Sequence, residues 1–290
     1  MQLLDLVAEE GGDYEYLDAG DGERLERFGD VVLNRPSPQA LWRKEHPTDW
    51  QSPAGVYVRS SSGGGEWQFQ RELPASWPVK YGPCTFQVKP TGFGHVGLFP
   101  EHSCHWPWVA AQIQCAPAPC QVLHLFAYTG AMTLMAARAG AQVCHVDAVQ
   151  DINRWARQNA EASGLANAPI RWITDDATRF VARETRRKRQ YHGIILDPPS
   201  YGKGPEGEKW ILEEHLLDLL GMLQALMTTV PRFVLFTCHT PGFSTPLMSN
   251  LLLDWMTKWG GKIETGNMVL RNRRCTRVLP AGVFARWSVE

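Results

Sequence analysis

No stretch of the 290-residue chain approaches the roughly 20 consecutive apolar residues that a membrane-spanning helix requires, so no such helix is expected. Neither sign of charge is in excess. Lys and Arg total 29 against 30 Asp and Glu, which excludes a global field favouring polyanions and leaves any nucleic-acid contact to local basic patches. Cysteine is sparse: seven residues, an odd number, scattered along a long chain, argue against a disulfide framework and for a reduced, cytoplasmic protein. Cys115 and Cys120 in "CAPAPC", and Cys104 and His105 in "HSCHW", match no metal-ligand spacing, so no metal is expected. The opening "MQLLDLVAEEGGDYEYLD" is acidic and Asp5 breaks its apolar run, so no targeting signal is expected. Internal repeats and low-complexity tracts are missing as well.

What is present changes character along the chain. Residues 1–100 scatter Gly, Pro, Ser and Asp between short alternating runs such as "VVLNR", "GVYVRS", "EWQFQREL" and "CTFQVKP", which predict several short strands, with "SSSGGGE" at 60–66 as a loop or hairpin tip. From about residue 120, apolar strands alternate with amphipathic helices in the order of β-α-β units. Strands are expected at 121–127, 141–148, 169–174, 192–197 and 232–238, with two further extended pieces near 263–270 and 278–288 able to pair as an antiparallel edge. Helices are expected at 131–139, 150–163, 177–189, 208–229 and about 245–258. The expected class is α/β: a seven-stranded Rossmann-like sheet with helices on both faces, preceded by a smaller β-rich domain. The division falls at 1–106 and 107–290, the first part being the expected substrate-recognition domain.

Chemistry concentrates at predicted strand ends. In "LHLFAYTGAMTLMAARAGAQVCHVDA" a strand runs into a tight turn, a helix of small residues follows, and the next strand ends on Asp147. Gly130, with Ala127 and Ala131, lets the backbone approach a ligand, and Asp147 can accept both hydroxyls of a ribose. Alternatively this is a simple turn in which Asp147 caps the helix starting near Asp151. A dinucleotide site needs G-x-G-x-x-G to hold its pyrophosphate, and only Gly130 is glycine here; the Walker ending is absent too. An adenosyl group without phosphates fits better, S-adenosylmethionine being the common one. In "TDDAT", Asp175 or Asp176 either accepts from the adenine amine, with the Ala177 amide donating to the ring, or caps the next helix. "YHGIIL" then delivers Asp197 at a strand end that Pro198 and Pro199 terminate, because proline cannot continue the ladder.

Taken in order, "LFAYTGAMTLMAARAG", "VDAVQDINRWARQNAEASGL", "TDDATRFV" and "LDPPSYGKG" give residues 120–290 a pattern that resembles the class I S-adenosylmethionine-dependent methyltransferases, closest to the group containing the large-subunit ribosomal RNA cytosine-C5 methyltransferases. "YLDAGDGERLERFGDVVLNRPSPQALW" and "GHVGLFPEH" also resemble an N-terminal region in that group. The resemblance implies that Phe126, Tyr128, Thr129, Gly130, Asp147, Ala148, Asp175, Asp176, Ala177, Asp197 and Pro198 hold the donor. It implies that Pro199, Ser200, Tyr201 and Lys203 meet the acceptor, with Asp197 facing donor and target base. Phe99, Pro100, Glu101 and His102 match a segment lining the donor pocket in relatives, which usually carry leucine and aspartate at the middle two positions.

Methyl transfer from a sulfonium is an in-line displacement, so positioning dominates, and the stiff Asp-Pro-Pro corner suits it. Enzymes acting on exocyclic amines often carry an aromatic residue directly after the prolines. Here Ser200 stands there and Tyr201 follows, an arrangement nearer the cytosine-C5 group. C5 is a poor nucleophile and needs a thiolate to add at C6, for which Cys238 in "LFTCHT" is the candidate, unless it is a buried, inert thiol. His239 could lower the thiol pKa, act as a base, or simply be a surface residue. "RETRRKRQ" at 183–190 and "RNRRCTR" at 271–277 could bind phosphates, the first being equally a solvated helix end. Trp106 and Trp108 could offer stacking surfaces. The expected partner is ribosomal RNA. A methyltransferase acting on an exocyclic amine or protein side chain, or a non-catalytic donor- or RNA-binding protein, are the alternatives.

Overall fold

The structure, a computed structural model, describes residues 2–8, 11–60 and 64–289. Within them lie strands β1 (Gln2–Val7), β2 (Tyr14–Gly20), β3 (Glu23–Phe28), β4 (Val31–Pro36), β5 (Gly55–Arg59), β6 (Gly65–Phe69), β7 (Trp77–Tyr81) and β8 (Cys84–Val88). Helix α1 (Trp106–Gln114), β9 (Gln121–Leu125), α2 (Ala131–Arg138), β10 (Gln142–Asp147), α3 (Gln150–Ala162), β11 (Ile170–Thr174), α4 (Ala177–Arg186) and β12 (Gly193–Leu196) follow. A small hairpin of β13 (Tyr201–Lys203) and β14 (Lys209–Ile211) precedes α5 (Leu212–Gln224), β15 (Phe233–Cys238), α6 (Thr245–Met256), β16 (Lys262–Arg271) and β17 (Val278–Ser288). Part of the expected loop at 60–66 lies outside the described residues; β5 and β6 pair on either side of it.

The chain divides into two compact units, one of Met1–Leu6, Cys104–Met268 and Gly282–Glu290, the other of Val7–Ser103 and Val269–Ala281. Residues 269–281, expected with the second domain, therefore group with the β-rich unit, and the first six residues with the α/β unit.

The smaller unit holds a five-stranded sheet, β2-β3-β4-β5-β6, and the β7-β8 ribbon. Its strands alternate as the pleat demands: in β7, Trp77, Val79 and Tyr81 are buried while Pro78 and Lys80 are exposed. One carboxylate organises its loops. Asp18, 1% exposed, accepts from the amides of Ala19 (2.8 Å), Glu45 (3.1 Å) and His46 (3.0 Å) and from Trp50 Nε1 (2.9 Å).

The larger unit is the expected α/β fold, built on an eight-stranded sheet ordered β1-β16-β17-β15-β12-β9-β10-β11. The five adjacent strands from β15 to the β11 edge (β15, β12, β9, β10 and β11) are parallel, and β17 runs antiparallel to β15. Parallel strands covered on both faces are apolar throughout, and "GIIL" of β12 is fully buried. Leu123, Leu125, Ile194, Leu196, Val234 and Phe236 face a core closed by α4, α5 and α6. On the opposite face, Thr133 of α2 bonds His124 of β9 and His145 of β10. Three features depart from expectation. β1 adds an eighth strand, α1 forms over "WPWVAAQIQ" with proline in its first turn, and the helix expected at 208–229 starts only at Leu212. Lys209–Ile211 instead pair antiparallel with Tyr201–Lys203 as the β13–β14 hairpin, across a turn that contains Gly204, Pro205 and Gly207. Among the described residues no helix is long and apolar enough to cross a membrane.

Replacing Asp18 by Ala strands four donors at once and is expected to destabilise the protein by about 3 kcal/mol in urea unfolding, with Asp18→Asn losing less.

Candidate active site

The register aligns the strand ends. Leu125 pairs with Val146 and with Leu196, and Leu196 with Phe236, so the next residues, Phe126, Asp147, Asp197 and Thr237, leave the sheet at one level. Ligands of open parallel sheets bind at this edge. The β9 turn is tightly curled: Phe126 (φ +54°), Tyr128 (φ +48°) and Gly130 (φ +87°) are all left-handed. Only the last is free of the Cβ penalty, and a Cβ there would sit 3.3 Å from that of Ala156.

Asp147 holds the turn. Its two oxygens accept from the amides of Tyr128 (2.9 Å) and Val149 (3.0 Å), so it ties the β9 and β10 turns together rather than capping α3, whose N-cap is Val149. Burial pushes its carboxyl above the usual range, against the pull of the Val149, Tyr128 and Ala148 amides. A carboxylate has about four lone-pair sites, so capacity remains for a ribose diol. Three turn amides are consumed internally: Ala127 donates to Val146 O, Tyr128 to Asp147 and Gly130 to Ala127 O. They are not arrayed for a pyrophosphate, which fits an adenosyl group without phosphates.

Two residues of α3 that sequence reasoning passed over complete this support. Asn153 Nδ2 bonds Asp147 O (3.1 Å), Ile173 O (3.1 Å) and Thr174 Oγ1 (3.0 Å), and Asn159 Nδ2 bonds Thr129 O (2.9 Å). Their signal was visible: two asparagines on the inward face of an amphipathic helix need partners.

Asp175 and Asp176 are both buried at the end of β11. Asp176 is the N-cap of α4, accepting from the Arg179 amide at 3.0 Å, and Asp175 pairs with Arg183. Ala177, buried, opens the helix. The same α4 reaches the acceptor loop, since Arg179 pairs with Glu206 (2.6 Å) and Glu208 of the hairpin. Pro198 is buried, Pro199 O accepts from Trp210 Nε1 (2.7 Å), and Ser200 Oγ meets Thr240 Oγ1 (2.8 Å), while Tyr201 and Lys203 stand exposed. The Phe126 ring lies 4.9 Å from that of Trp210. Phe99, Pro100, Glu101 and His102 stand in the smaller unit, where the rings of Phe99 and His102 stack at 6.0 Å.

Cys238 lies elsewhere than the strand-end argument suggests. Side chains alternate, so Cys238 shares the face of its strand with Phe236 and packs with Leu196 in the core, 1% exposed, whereas Asp197 and His239 leave on the other face. Burial pushes the thiol up to about 11, with hydrogen bonds from the Thr240 amide and hydroxyl only partly opposing. His239, in contrast, meets Asp197 directly, Nδ1 to Oδ1 at 3.2 Å.

No protein-family model matches the chain. It is similar over its whole length to the crystal structure of an S-adenosylmethionine-dependent methyltransferase from Agrobacterium tumefaciens, with 36% identity, a TM-score of 0.92, and 100% of this chain and 98% of that one covered. The tRNA (uracil-54, C5)-methyltransferase of Pyrococcus abyssi in complex with S-adenosyl-L-homocysteine shares the fold, at 14% identity and a TM-score of 0.51 over 92% of this chain and 60% of that one. Curated relatives include the ribosomal RNA large subunit methyltransferases K/L of Shewanella frigidimarina and Syntrophotalea carbinolica. The first is 29% identical over 49% of this chain and 20% of its own length, the second 26% over 59% and 23%. The match thus spans about a fifth of these curated relatives.

A thiol at about 11 leaves roughly one molecule in a thousand as thiolate at pH 8. Iodoacetamide at that pH is expected to label exposed Cys115 within minutes and Cys238 only after denaturation, read by peptide mass spectrometry.

Proposed function

This chain belongs to the S-adenosylmethionine-dependent methyltransferases, and from that premise we propose that it methylates a nitrogen of a base in ribosomal RNA. The RNA part of the reading is supported by the curated relatives, named as ribosomal RNA large subunit methyltransferases, which match about half of this chain. The nitrogen part rests on one observation, the Asp197–His239 hydrogen bond at the level of the donor turn.

The donor is S-adenosylmethionine, which supplies an electrophilic methyl on its sulfonium. Asp147 and the Tyr128–Gly130 turn would hold its ribose and methionyl parts, and the Asp175–Ala177 corner its adenine. Asp176 already caps α4 and Asp175 is paired with Arg183, so the adenine edge meets this corner through acceptor capacity those bonds leave over.

At the acceptor, an amino or ring N–H directed at Asp197 is polarised by the carboxylate. The nitrogen lone pair forms the new N–C bond as the S–C bond breaks with its electrons going to sulfur, and the nitrogen's proton passes to the Asp197–His239 pair. With Nδ1–H of His239 donated to Asp197, the imidazole is fixed in one tautomer and the carboxylate in one orientation. Pro198 and Pro199 stiffen the corner, so the distance is set before substrate arrives.

Cytosine C5 is the second reading, favoured by Cys238 ending β15 beside His239 and by Ser200 following the prolines. It requires a thiolate that the buried thiol does not supply as it stands.

Transfer of labelled methyl to ribosomal RNA from cells lacking the gene, followed by nucleoside analysis, separates the readings. N-methylated nucleoside is expected, with Cys238→Ala keeping most activity and Asp197→Asn or His239→Gln lowering kcat about a hundredfold or more while donor affinity stays within a few-fold. Recovery of 5-methylcytidine that vanishes in Cys238→Ala would establish the C5 reading instead.

A further inference from the structure

The smaller unit contains a cavity of about 470 Å³ whose lining includes Arg27, Arg271, Arg273 and Arg274 and, among the described residues, one carboxylate, Glu15. We propose that this cleft binds the phosphodiester backbone of single-stranded RNA, an inference that rests on the reading of RNA as acceptor.

Arg271 ends β16 and Arg273 and Arg274 lie in the turn that follows, and that turn is held by two kinds of anchor. Buried Asn272 donates to Tyr16 O at 2.6 Å and accepts the Arg274 amide at 2.8 Å. Buried Cys275 donates to Leu17 O at 3.4 Å. Beyond them Glu45 receives the amides of Thr276 (2.9 Å) and Arg277 (3.1 Å). The anchors point inward, which leaves Arg271, Arg273 and Arg274 exposed on a backbone that is already ordered. Ordering cost is thereby met in folding rather than in binding.

The charge balance favours a polyanion. Glu15 is matched by Arg27, Arg274 by Asp49 at 3.0 Å, and Arg271 makes no ion pair among the described residues. Among the described residues the lining carries four guanidinium groups and one carboxylate, and with Asp49 offsetting Arg274 a surplus of two positive charges remains, which suits successive phosphates of a strand better than one inorganic phosphate. Guanidinium forks suit phosphate oxygens. Tyr14 is buried with its hydroxyl on Glu26, so it offers no stacking platform, and the cleft positions RNA without reading its sequence.

The test is fluorescence anisotropy with a labelled 20-mer single-stranded RNA across a salt series, comparing the full chain with Arg271→Ala/Arg273→Ala and Arg271→Lys/Arg273→Lys. Both positions are exposed, and a thermal melt confirms that folding is kept. The alanine pair is expected to weaken binding tenfold or more and to reduce the log–log salt slope by about 1.4, with the lysine pair restoring most of the slope and calorimetric S-adenosylmethionine affinity unchanged. Unchanged affinity and slope, with the unmodified protein binding RNA, would overturn the cleft while leaving RNA as the acceptor. No RNA binding by the unmodified protein at low salt would instead overturn the RNA reading and the cleft with it. Displacement of the RNA by millimolar inorganic phosphate, beyond that by chloride at equal ionic strength, would show a pocket for free phosphate and overturn the assignment to a strand.

Discussion

The Asp147 carboxylate is the constraint on which the proposed site depends. One oxygen holds the turn after β9 and the other the turn after β10, so two strand ends become one surface. Left-handed Phe126 and Tyr128 carry a steric cost of about 1–2 kcal/mol each, which persists only where the surroundings fix them. Asn153 and Asn159 of α3 supply the rest of that fixing from behind, and Gly130 closes the curl where a side chain has no room. A turn whose amides are already used has little left for phosphates and suits a nucleoside held through its sugar and base.

Sheet parity then sorts the chemistry. Neighbouring parallel strands in register present the same face at the same level, so Leu196 and Phe236 face the core together and Asp197 leaves on the other side. His239 follows Asp197, and Cys238 follows the core. The low-dielectric surroundings that suit Cys238 to packing raise the cost of its thiolate, whereas Asp197 and His239 sit partly exposed, where a proton can be exchanged.

Much of this was legible in the chain. Strongly periodic stretches from residue 120 onward gave strand and helix positions close to those observed, because burial on both faces leaves few alternatives. Acids at strand ends were visible as Asp147, Asp175, Asp176 and Asp197. Their partners were not, since sequence spacing says nothing of which amide a carboxylate meets. Cys238 and His239 are adjacent in sequence, and one residue decides the face; a strand end named without counting parity from Leu196 leaves the face of the thiol open. The β13–β14 hairpin was hidden because Trp210 and Ile211 run on into the apolar pattern of α5, and β1 by its short, partly polar sequence. The grouping of Val269–Ala281 with the smaller unit is a long-range fact, made by Asp18, Glu45 and Asn272 across more than 200 residues.

The most direct test of the account is a crystal structure with S-adenosylhomocysteine bound. The account predicts the ribose hydroxyls within hydrogen-bond distance of the Asp147 carboxylate, the Tyr128 and Val149 amide bonds retained, and the thioether sulfur directed toward Asp197. A nucleoside seated away from these strand ends, or an Asp147 that meets no part of it, would contradict the central claim.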